Sequence, residues 1–473
     1  MPEVLVFTRK NVEEMDAAAP DGKAPGVSRI LAEYVAHLCY ERLPAEAVHA
    51  FRRALLDYVT CAVSGSRTQP ARAVLDYARS WDDARQACVV GHDARLACPN
   101  AAFVNGTSTH GLDFDDGYTQ GSVHPAGSVF PALLAISEQL GAGSDEVIAA
   151  GVAAYDVTLR IAAAVHPHSA RRGFHNTATA GVFGATAAVS RLLRLDAERT
   201  LDALGLAGSF AGGLREYVTE GADVKRLHPG KAARDGIVCA ELAKRGVSGP
   251  ASVLEGRYGF AQAVTGGEAD LRRVTEELGS TFAICNAYFK PYPACRHFHS
   301  ALDAIRHIAR RRAFVPQDVK SVEIGLYDIG VQGHDHKHAY TLLDAQMSAP
   351  VSAALAVVLG DVTATGYDRS NLENPDVRRI VDATTVYVDP ECERLYPRRR
   401  SGLARVHLND GTMLEERVLD PRGEGVNPLS DDELTHKFLS NCGPILGESK
   451  CKRVLETVWS LDRASELAEL YRW

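Results

Sequence analysis

The spacing of hydrophobic residues along the chain changes once, near residue 281. Before that point, from about residue 27, apolar side chains recur every three or four positions, which predicts amphipathic helices. Many of these segments are rich in Ala and Gly, which lets helix axes approach closely. The pattern predicts a compact all-helical region without a sheet. The clearest predicted helices cover residues 48–62, 144–165, 178–193 and 232–245.

After residue 281, apolar and polar residues alternate over several short segments, as they do in half-buried strands. The segment Asn409-Asp-Gly411 between two of them predicts a β-hairpin. The capping box Ser430-Asp-Asp-Glu433 then marks the return to helix. Strands are predicted over 319–327, 384–388, 404–408 and 412–418, with helices over 298–312 and 344–359.

Together these patterns predict a mainly α protein with two domains. A large all-helical domain is predicted over residues 1–280 and 425–473. A smaller α+β lid domain, residues 281–424, is inserted before the C-terminal helices. The length of 473 residues agrees with two domains, because it exceeds the size of one ordinary domain.

Composition excludes several classes of function. Hydrophobic residues make up 46% of the chain and charged residues 24%, as in soluble globular proteins. The net charge of −8 argues against binding nucleic acid. No apolar run approaches the ~20 residues that span a bilayer, and the N-terminus has no apolar segment typical of a signal peptide. We therefore expect a cytoplasmic protein that does not associate with membranes.

The sequence contains no recognisable cofactor motif. The ten cysteines include no C-x-x-C pair, which favours idle thiols in a reducing compartment over metal or cluster ligands. Neither a P-loop nor a dinucleotide-binding glycine motif is present. The histidine-rich segment His334-Asp-His-Lys-His338 resembles a metal site but is interpreted as a polar loop.

The segment between Asn105 and Gly127 is the strongest candidate for chemistry. His110 and His124 flank three carboxylates, of which the first is Asp113, and a glycine-rich loop precedes His124. Carboxylates held near histidine are the usual means of moving protons at neutral pH. Small and apolar residues follow at once, so this loop is expected to lead into a buried helix and to form a site.

Three further polar segments, residues 165–177, 223–236 and 289–300, carry histidine together with Lys or Arg. Each of them alone is more typical of a solvated surface, and His166 and His168 are interpreted in that way. Lys231 and Arg234 are three residues apart, so both can face one side of a helix. Four such segments together predict a cationic pocket with imidazoles for a small di- or tricarboxylate.

At these motifs the chain resembles the MmgE/PrpD family, which includes 2-methylcitrate dehydratase, cis-aconitate decarboxylase and some isomerases or epimerases. The resemblance extends from about residue 27 to 460 and implies a helical domain with an α+β lid, a homodimer, no metal or organic cofactor, and a site between the domains. The motifs are Gly111-Leu-Asp-Phe-Asp-Asp116, Val123-His-Pro-Ala-Gly127, Gly173-Phe-His-Asn-Thr-Ala-Thr179, Leu227-His-Pro-Gly-Lys-Ala-Ala-Arg234, Lys290-Pro-Tyr-Pro-Ala-Cys-Arg-His-Phe-His299 and Asn427-Pro-Leu-Ser430.

The resemblance also implies roles for single residues. Catalytic roles fall on His124, Asp113 and His175, and substrate binding on Lys290, Arg234, Lys231, His299 and Arg296. Two positions depart from the family pattern: Gly117 stands where Thr is common, and Val351 where many members carry Tyr. The second change removes a phenol that could donate a hydrogen bond or a proton.

The main hypothesis is a cofactor-independent lyase that dehydrates a 2-methylcitrate-like acid or decarboxylates a cis-aconitate-like acid. His124 is expected to transfer the proton, Asp113 to orient His124 and raise its pKa, and the cationic residues to bind substrate carboxylates. An isomerase or epimerase that uses His124 and His175 on opposite faces of the substrate is the alternative. A third hypothesis is a carboxylate-binding protein without catalytic activity.

Overall fold

The buried hydrophobic side chains form two large clusters. The structure, a computed structural model, describes residues 26–461 and 467–473. The first cluster combines residues between 30 and 289 with residues between 429 and 470, and the second lies between 292 and 418. The part of the predicted helical domain before residue 26, including the N-terminus that lacks a predicted signal peptide, lies outside the described residues.

The first cluster is built almost entirely from helices, as predicted. Two of its helices come from the C-terminal end of the chain. The chain therefore returns to the first cluster after it has completed the second cluster. The helices of eight or more residues are Val27–His37, Ala45–Gly65, Gln69–Arg79, Cys98–Thr109, Ala126–Leu140, Ser144–Val165, Gly181–Leu192, Ala197–Phe210, Val224–Lys244, Asp431–Leu446 and Glu448–Trp459; shorter ones are His168–Arg171, Asn176–Thr179, Tyr217–Glu220, Phe260–Thr265 and Arg272–Thr275.

Two details of this region differ from the prediction. It is not all-helical, because β1 (Ala87–Cys88) pairs antiparallel with β2 (Arg95–Leu96), and strands of two residues are too short to show alternation. The helix predicted from residue 232 begins eight residues earlier and covers Val224–Lys244. It continues through Pro229, which the sequence pattern had indicated as part of a loop.

The second cluster contains a four-stranded sheet. Its strands are β3 (Val319–Leu326), β4 (Thr384–Val388), β5 (Gly402–Leu408) and β6 (Met413–Val418), in the order β4-β3-β5-β6. β3 and β4 are parallel and the other pairs antiparallel, so the predicted strands and the hairpin are confirmed. The helices here are His299–Arg311, Asp328–Val331, Leu342–Met347, Ala349–Leu359, Arg369–Leu372, Pro375–Asp382 and Pro390–Leu395.

One described helix, Ser144–Val165, is long and apolar enough to cross a bilayer. Its most apolar stretch is completely buried within the first cluster. Because neighbouring helices cover it on every side, its apolar surface is accounted for by the core.

Three glycines form a close crossing of the helices that lead to the candidate site. They are Gly106 in Cys98–Thr109, Gly127 in Ala126–Leu140 and Gly230 in Val224–Lys244. A Cβ atom at Gly230 would lie 2.3 Å from the carbonyl oxygen of Phe103, and one at Gly106 would lie 2.5 Å from the Cα of Gly230. Only glycine permits this approach, because the obstructing atoms are backbone atoms at Gly106 and Gly230 and ring atoms of Pro229 at Gly127. We refer to these three residues as the glycine crossing.

We expect Gly230→Ala to lower the free energy of unfolding by about 1–3 kcal/mol, because the added methyl group would overpack the glycine crossing. Urea denaturation followed by circular dichroism measures this change. Gly443→Ala is the matched control: Gly443 also lies inside a helix but has no atom within 4 Å of a built Cβ. This control should stabilise the protein by about 0.5–1 kcal/mol. Equal effects of the two substitutions would contradict the close crossing.

Candidate active site

A cavity lies where side chains from both hydrophobic clusters and their connecting loops meet. It encloses about 560 Å³ counted out to its opening, but only about 50 Å³ admits the centre of a water molecule. The lining side chains therefore stand close together, and a substrate larger than a few atoms must displace some of them. The polar side chains that line it are Asp113, Ser122, His124, His175, Asn176, Arg215, Tyr217, Lys225, Cys295, Arg296, His297, His334 and Arg400.

The charge of this lining is strongly positive. Four cationic side chains (Arg215, Lys225, Arg296 and Arg400) face a single carboxylate, that of Asp113. Arg400 is 3% exposed, and its Nε has no hydrogen-bond partner. Unpaired buried cations are costly, so the arrangement favours an anionic ligand that supplies the missing partners.

Asp113 holds two buried lysines. Its Oδ1 accepts hydrogen bonds from Lys225 Nζ at 2.6 Å and Lys290 Nζ at 3.0 Å, and Lys290 also donates to the backbone carbonyl of Asp113 at 2.8 Å. Burial raises the pKa of Asp113, but the two ammonium groups outweigh it and hold that pKa well below its usual range. The backbone of Asp113 is left-handed, with φ of 50°, a conformation that aspartate tolerates better than most residues.

His124 lies in the cavity as a neutral imidazole. Its Nδ1 donates to the backbone carbonyl of Asp116 at 2.6 Å, which leaves Nε2 as the nitrogen with a free lone pair. Burial, followed by the nearby positive charge of Lys290, lowers the pKa of His124 to about 3. The expectation that Asp113 orients His124 does not agree with this geometry, because Asp113 binds the two lysines and the Asp116 carbonyl fixes the ring. The Asp113 carboxylate does raise the pKa of His124 as expected, but burial and Lys290 outweigh it, so the net pKa is lowered.

Further imidazoles adjoin His124. The ring centroid of His110 lies 5.0 Å from that of His124, and His110 Nδ1 lies 2.9 Å from both carboxylate oxygens of Asp115. His175 Nδ1 is 2.8 Å from His228 Nδ1, so one of these two nitrogens donates to the other. Burial and then the facing His228 lower the pKa of His175 well below its ordinary value. His124 and His175, whose pKa values are lowered, therefore supply neutral imidazoles next to a cationic surface.

The predicted residues of the segment 289–300 occupy different positions. Arg296 lines the cavity, with its guanidinium 4.3 Å from the ring centroid of Tyr288 and 3.1 Å from Glu424. Lys290 is fully buried behind Asp113, whereas His299 points away and binds the backbone carbonyl of Ala294 at 3.0 Å. Neither Lys290 nor His299 lines the cavity.

Lys231 and Arg234 do not reach the cavity. Both are about one third exposed and pair with Asp235, Lys231 at 2.8 Å and Arg234 at 2.7 Å. Their helix places Lys225 in the cavity. At about 100° per residue, Lys231 points about 120° away from Lys225, and Arg234 about 180° away. Substrate binding by Lys231 or Arg234 therefore does not agree with this geometry, and Lys225 takes the position expected for them.

The structure also revises the interpretation of two histidines and gives a reason for one glycine. His166, interpreted as a surface residue, is buried and its Nε2 lies 2.6 Å from the hydroxyl of Tyr396. His334, interpreted as part of a polar loop, is buried and lines the cavity. A Cβ at Gly117 would lie 2.3 Å from the Tyr288 hydroxyl, which explains why this chain has no side chain there.

Several residues of the cavity were not predicted from the sequence. Lys225 lay in the polar segment 223–236 but outside the family motif, and the helix was predicted to start too late to show which way its side chain points. Tyr217 brings a phenol to the cavity, while Val351, where the family's Tyr is absent, is buried outside it. Cys295 and His297 lay in the motif Lys290–His299, and His334 lay in the histidine-rich segment, but no role was predicted for them. Arg215 and Arg400 came from segments without a recognisable pattern.

Three groups of side chains bring potential metal ligands within 4.8 Å of one another in the described part of the chain. Two of them lie in or beside the cavity, where the surrounding guanidinium and ammonium groups oppose binding of a divalent cation. We therefore assign no metal there, and the expectation of a metal-free site stays a prediction. The groups are Cys295, His297 and His334; His110, Asp115 and His124; and His336, His338 and Asp344.

Comparison with known proteins gives a consistent result over nearly the whole chain. The MmgE/PrpD N-terminal domain matches residues 29–272 and the MmgE/PrpD C-terminal domain matches residues 292–463. A "Cis-aconitate decarboxylase-like protein oryM" from Aspergillus oryzae is 27% identical, covering 96% of this chain and 97% of the relative. The human cis-aconitate decarboxylase is 25% identical, covering 90% of each chain. The 2-methylcitrate dehydratase of Escherichia coli is 24% identical, covering 80% of this chain and 81% of the enzyme.

Proposed function

Because the chain belongs to the MmgE/PrpD family, we propose that it is a lyase that removes carbon dioxide or water from a small di- or tricarboxylate in the cavity described above. The observation that carries this proposal is the lining of four cationic side chains against one carboxylate, with imidazoles among them. The match to this chain extends over 97% and 90% of the two relatives named for cis-aconitate decarboxylase, against 81% of the 2-methylcitrate dehydratase. This difference favours decarboxylation.

The side chains of the cavity suit this chemistry. Decarboxylation and dehydration both pass through negative charge on the carbon next to a carboxylate, and fixed cations stabilise that charge. Lys225, Arg296 and Arg400 are proposed to bind the substrate carboxylates. His124, neutral and with Nε2 free, is proposed to transfer the proton, and His175 to act as a second acid or base or to bind a carboxylate. Lys290 acts indirectly, by fixing Asp113.

The arrangement of the whole protein is part of the same proposal. The second hydrophobic cluster, between residues 292 and 418, is proposed to form the lid domain, inserted within the helical domain at about residues 281–424. A homodimer, a cytoplasmic location and independence of cofactors are proposed from the family relationship. Sedimentation equilibrium of the purified chain tests the dimer.

Incubation of chelator-treated protein with a panel of di- and tricarboxylates in deuterated water, followed by mass spectrometry, tests the proposed function. We expect a product that has lost carbon dioxide or water. Deuterium incorporation without loss of either would favour the isomerase or epimerase. Tight binding without any product would favour a carboxylate-binding protein. Activity that disappears on chelation and returns with a metal would contradict independence of cofactors.

We expect binding of citrate, used as a tricarboxylate probe, to be accompanied by uptake of up to about one proton between pH 5 and 6. The pKa of His124 is about 3 in the free protein because of burial and Lys290, and carboxylates in the cavity should raise it. Isothermal titration calorimetry in buffers of different ionisation enthalpy measures the uptake. Protons that citrate itself releases are common to both proteins, so the native protein should take up more protons than His124→Gln by up to about one. The same dependence of the binding enthalpy on the buffer in the two proteins would contradict the prediction.

A further inference from the structure

Cys295 and His334 form a buried pair on the wall of the cavity. Cys295 Sγ lies 3.6 Å from His334 Nε2, and both residues line the cavity. His334 Nδ1 donates to the backbone carbonyl of Met347 at 2.8 Å, which fixes the tautomer and leaves the lone pair of Nε2 directed at the thiol. A cysteine beside a histidine of fixed orientation is the arrangement that activates a thiol.

We propose that Cys295 is a further catalytic residue, a thiolate that exchanges a proton with the carbon next to a substrate carboxylate, with His334 as its positioning base. The proposal rests on the proposed function, because it requires a carboxylate substrate in this cavity. Ten cysteines are present in the chain, and Cys295 is the one that lines this cavity.

The electrostatic surroundings of Cys295 favour the thiolate. Burial raises the pKa of the thiol, but the His334 imidazole lowers it by charge and by hydrogen bonding, so that it falls to about 7. Lys225 lowers this pKa and the Asp113 carboxylate raises it. Two further titratable groups lie on this wall. His297 has a ring nitrogen within 4.8 Å of the ligand atoms of Cys295 and His334, and burial lowers its pKa well below the ordinary value. The phenol of Tyr217 also lines the cavity, and burial raises its pKa. A thiol with a pKa near the working pH is suited to accept and return a proton.

The proton transfer is balanced within the cavity. In one direction the sulfur of Cys295 accepts a proton from the substrate carbon: the C–H bond breaks, the S–H bond forms, and the electron pair stays on the carbon and spreads into the adjacent carboxylate. In the other direction the thiol returns the proton to that carbon, and the negative charge moves back to sulfur. His334 takes up the thiol proton to give the starting thiolate, so no oxidant or reductant is needed.

The pH dependence of alkylation tests the pair without relying on activity. Iodoacetamide labelling of the whole protein, with peptides quantified by mass spectrometry, should give a rate for Cys295 that is half-maximal near pH 7. In His334→Gln the half-point should rise by about one pH unit or more, lowering the rate at pH 7 by about fivefold or more. Cys285, which is exposed, provides the internal reference in every sample.

Citrate should protect Cys295 from labelling and leave Cys285 unaffected, because only the first lies in the proposed binding cavity. Two results would overturn the proposal that His334 activates Cys295 in a substrate cavity. One is a labelling rate of Cys295 in the native protein with the pH dependence of an ordinary thiol, and the other is a rate that citrate does not lower. Both measurements use the native chain, so they test the proposal even where a variant fails to fold.

Activity then separates this inference from the proposed function. With an acid that the native enzyme converts, Cys295→Ala should lower kcat by about 10²-fold or more and Cys295→Ser should not restore it, because a hydroxyl has far too high a pKa. Cys285→Ser is the control and should retain native turnover. Full activity in Cys295→Ala would overturn the catalytic role alone. If the native enzyme converts no acid, the proposed function fails, and the catalytic role of Cys295 fails with it.

Discussion

Replacing His124 with glutamine is expected to lower turnover by about 10²–10⁴-fold in a protein that remains folded. The Nδ1–H group of His124 binds the Asp116 carbonyl, so Nε2 is the atom that can exchange a proton in the cavity. A glutamine amide can replace the hydrogen bond to the Asp116 carbonyl, but it cannot accept and release a proton near neutral pH. Steady-state kinetics with the acid identified in the substrate panel measures kcat and KM separately.

The control for this substitution is His307→Gln. His307 is about half exposed and lies in the helix His299–Arg311, outside the cavity. It should leave turnover unchanged, and both variants should keep the native circular dichroism spectrum. Turnover within a few-fold of native in His124→Gln would remove His124 from the proton-transfer role and leave His175 and Cys295 as the remaining groups for it.

Replacing Asp113 with asparagine is expected to lower the free energy of unfolding by about 3–5 kcal/mol, because it leaves two buried ammonium groups without their counter-charge. Asp113 Oδ1 is shared by Lys225 and Lys290, and all three side chains are buried. Urea denaturation at pH 7 measures the loss. Glu198→Gln, which breaks the exposed pair with Arg29, should have a much smaller effect.

A double variant makes the prediction about Asp113 more specific. Lys225→Met added to Asp113→Asn removes one of the two stranded cations and should recover part of the lost stability. The pH dependence gives a second check. Because the pKa of Asp113 is lowered in the folded protein, its stabilisation is present above the unfolded pKa of about 4 and is lost as pH falls below it. An effect of Asp113→Asn that is equal at pH 7 and pH 3 would contradict the charge-based account.

The sequence predicted the elements better than the directions of side chains. Alternation identified β3 and the hairpin of β5 and β6 because each strand buries one face, and the spacing of apolar residues identified the helices. The start of the helix Val224–Lys244 was missed because Pro229 suggested a loop. That error of two turns is why Lys231 and Arg234 were expected in the cavity in place of Lys225.

Other parts of the site could not be predicted, because they depend on contacts between distant segments. Arg400 reaches the backbone carbonyl of Thr119 across 281 residues of sequence, and no local pattern marks it. The motifs correctly indicated Asp113 as a polar centre, but its partners are lysines from two other segments. Which carboxylate faces which imidazole is decided by packing, and the sequence alone contains no signal for it.

The glycine crossing separates what can vary in this protein from what cannot. Gly106, Gly127 and Gly230 lie in the helices that flank the loop of Asp113 and His124 and in the helix of Lys225, and any side chain at these glycines would push the helices apart. Apart from Gly111, Gly117 and Gly121, which are crowded in the same way, the residues between His110 and Pro125 already carry side chains. Substrate preference can therefore be re-engineered by exchanging loop residues on an unchanged helical frame, whereas libraries that diversify the three glycines should yield mostly inactive members.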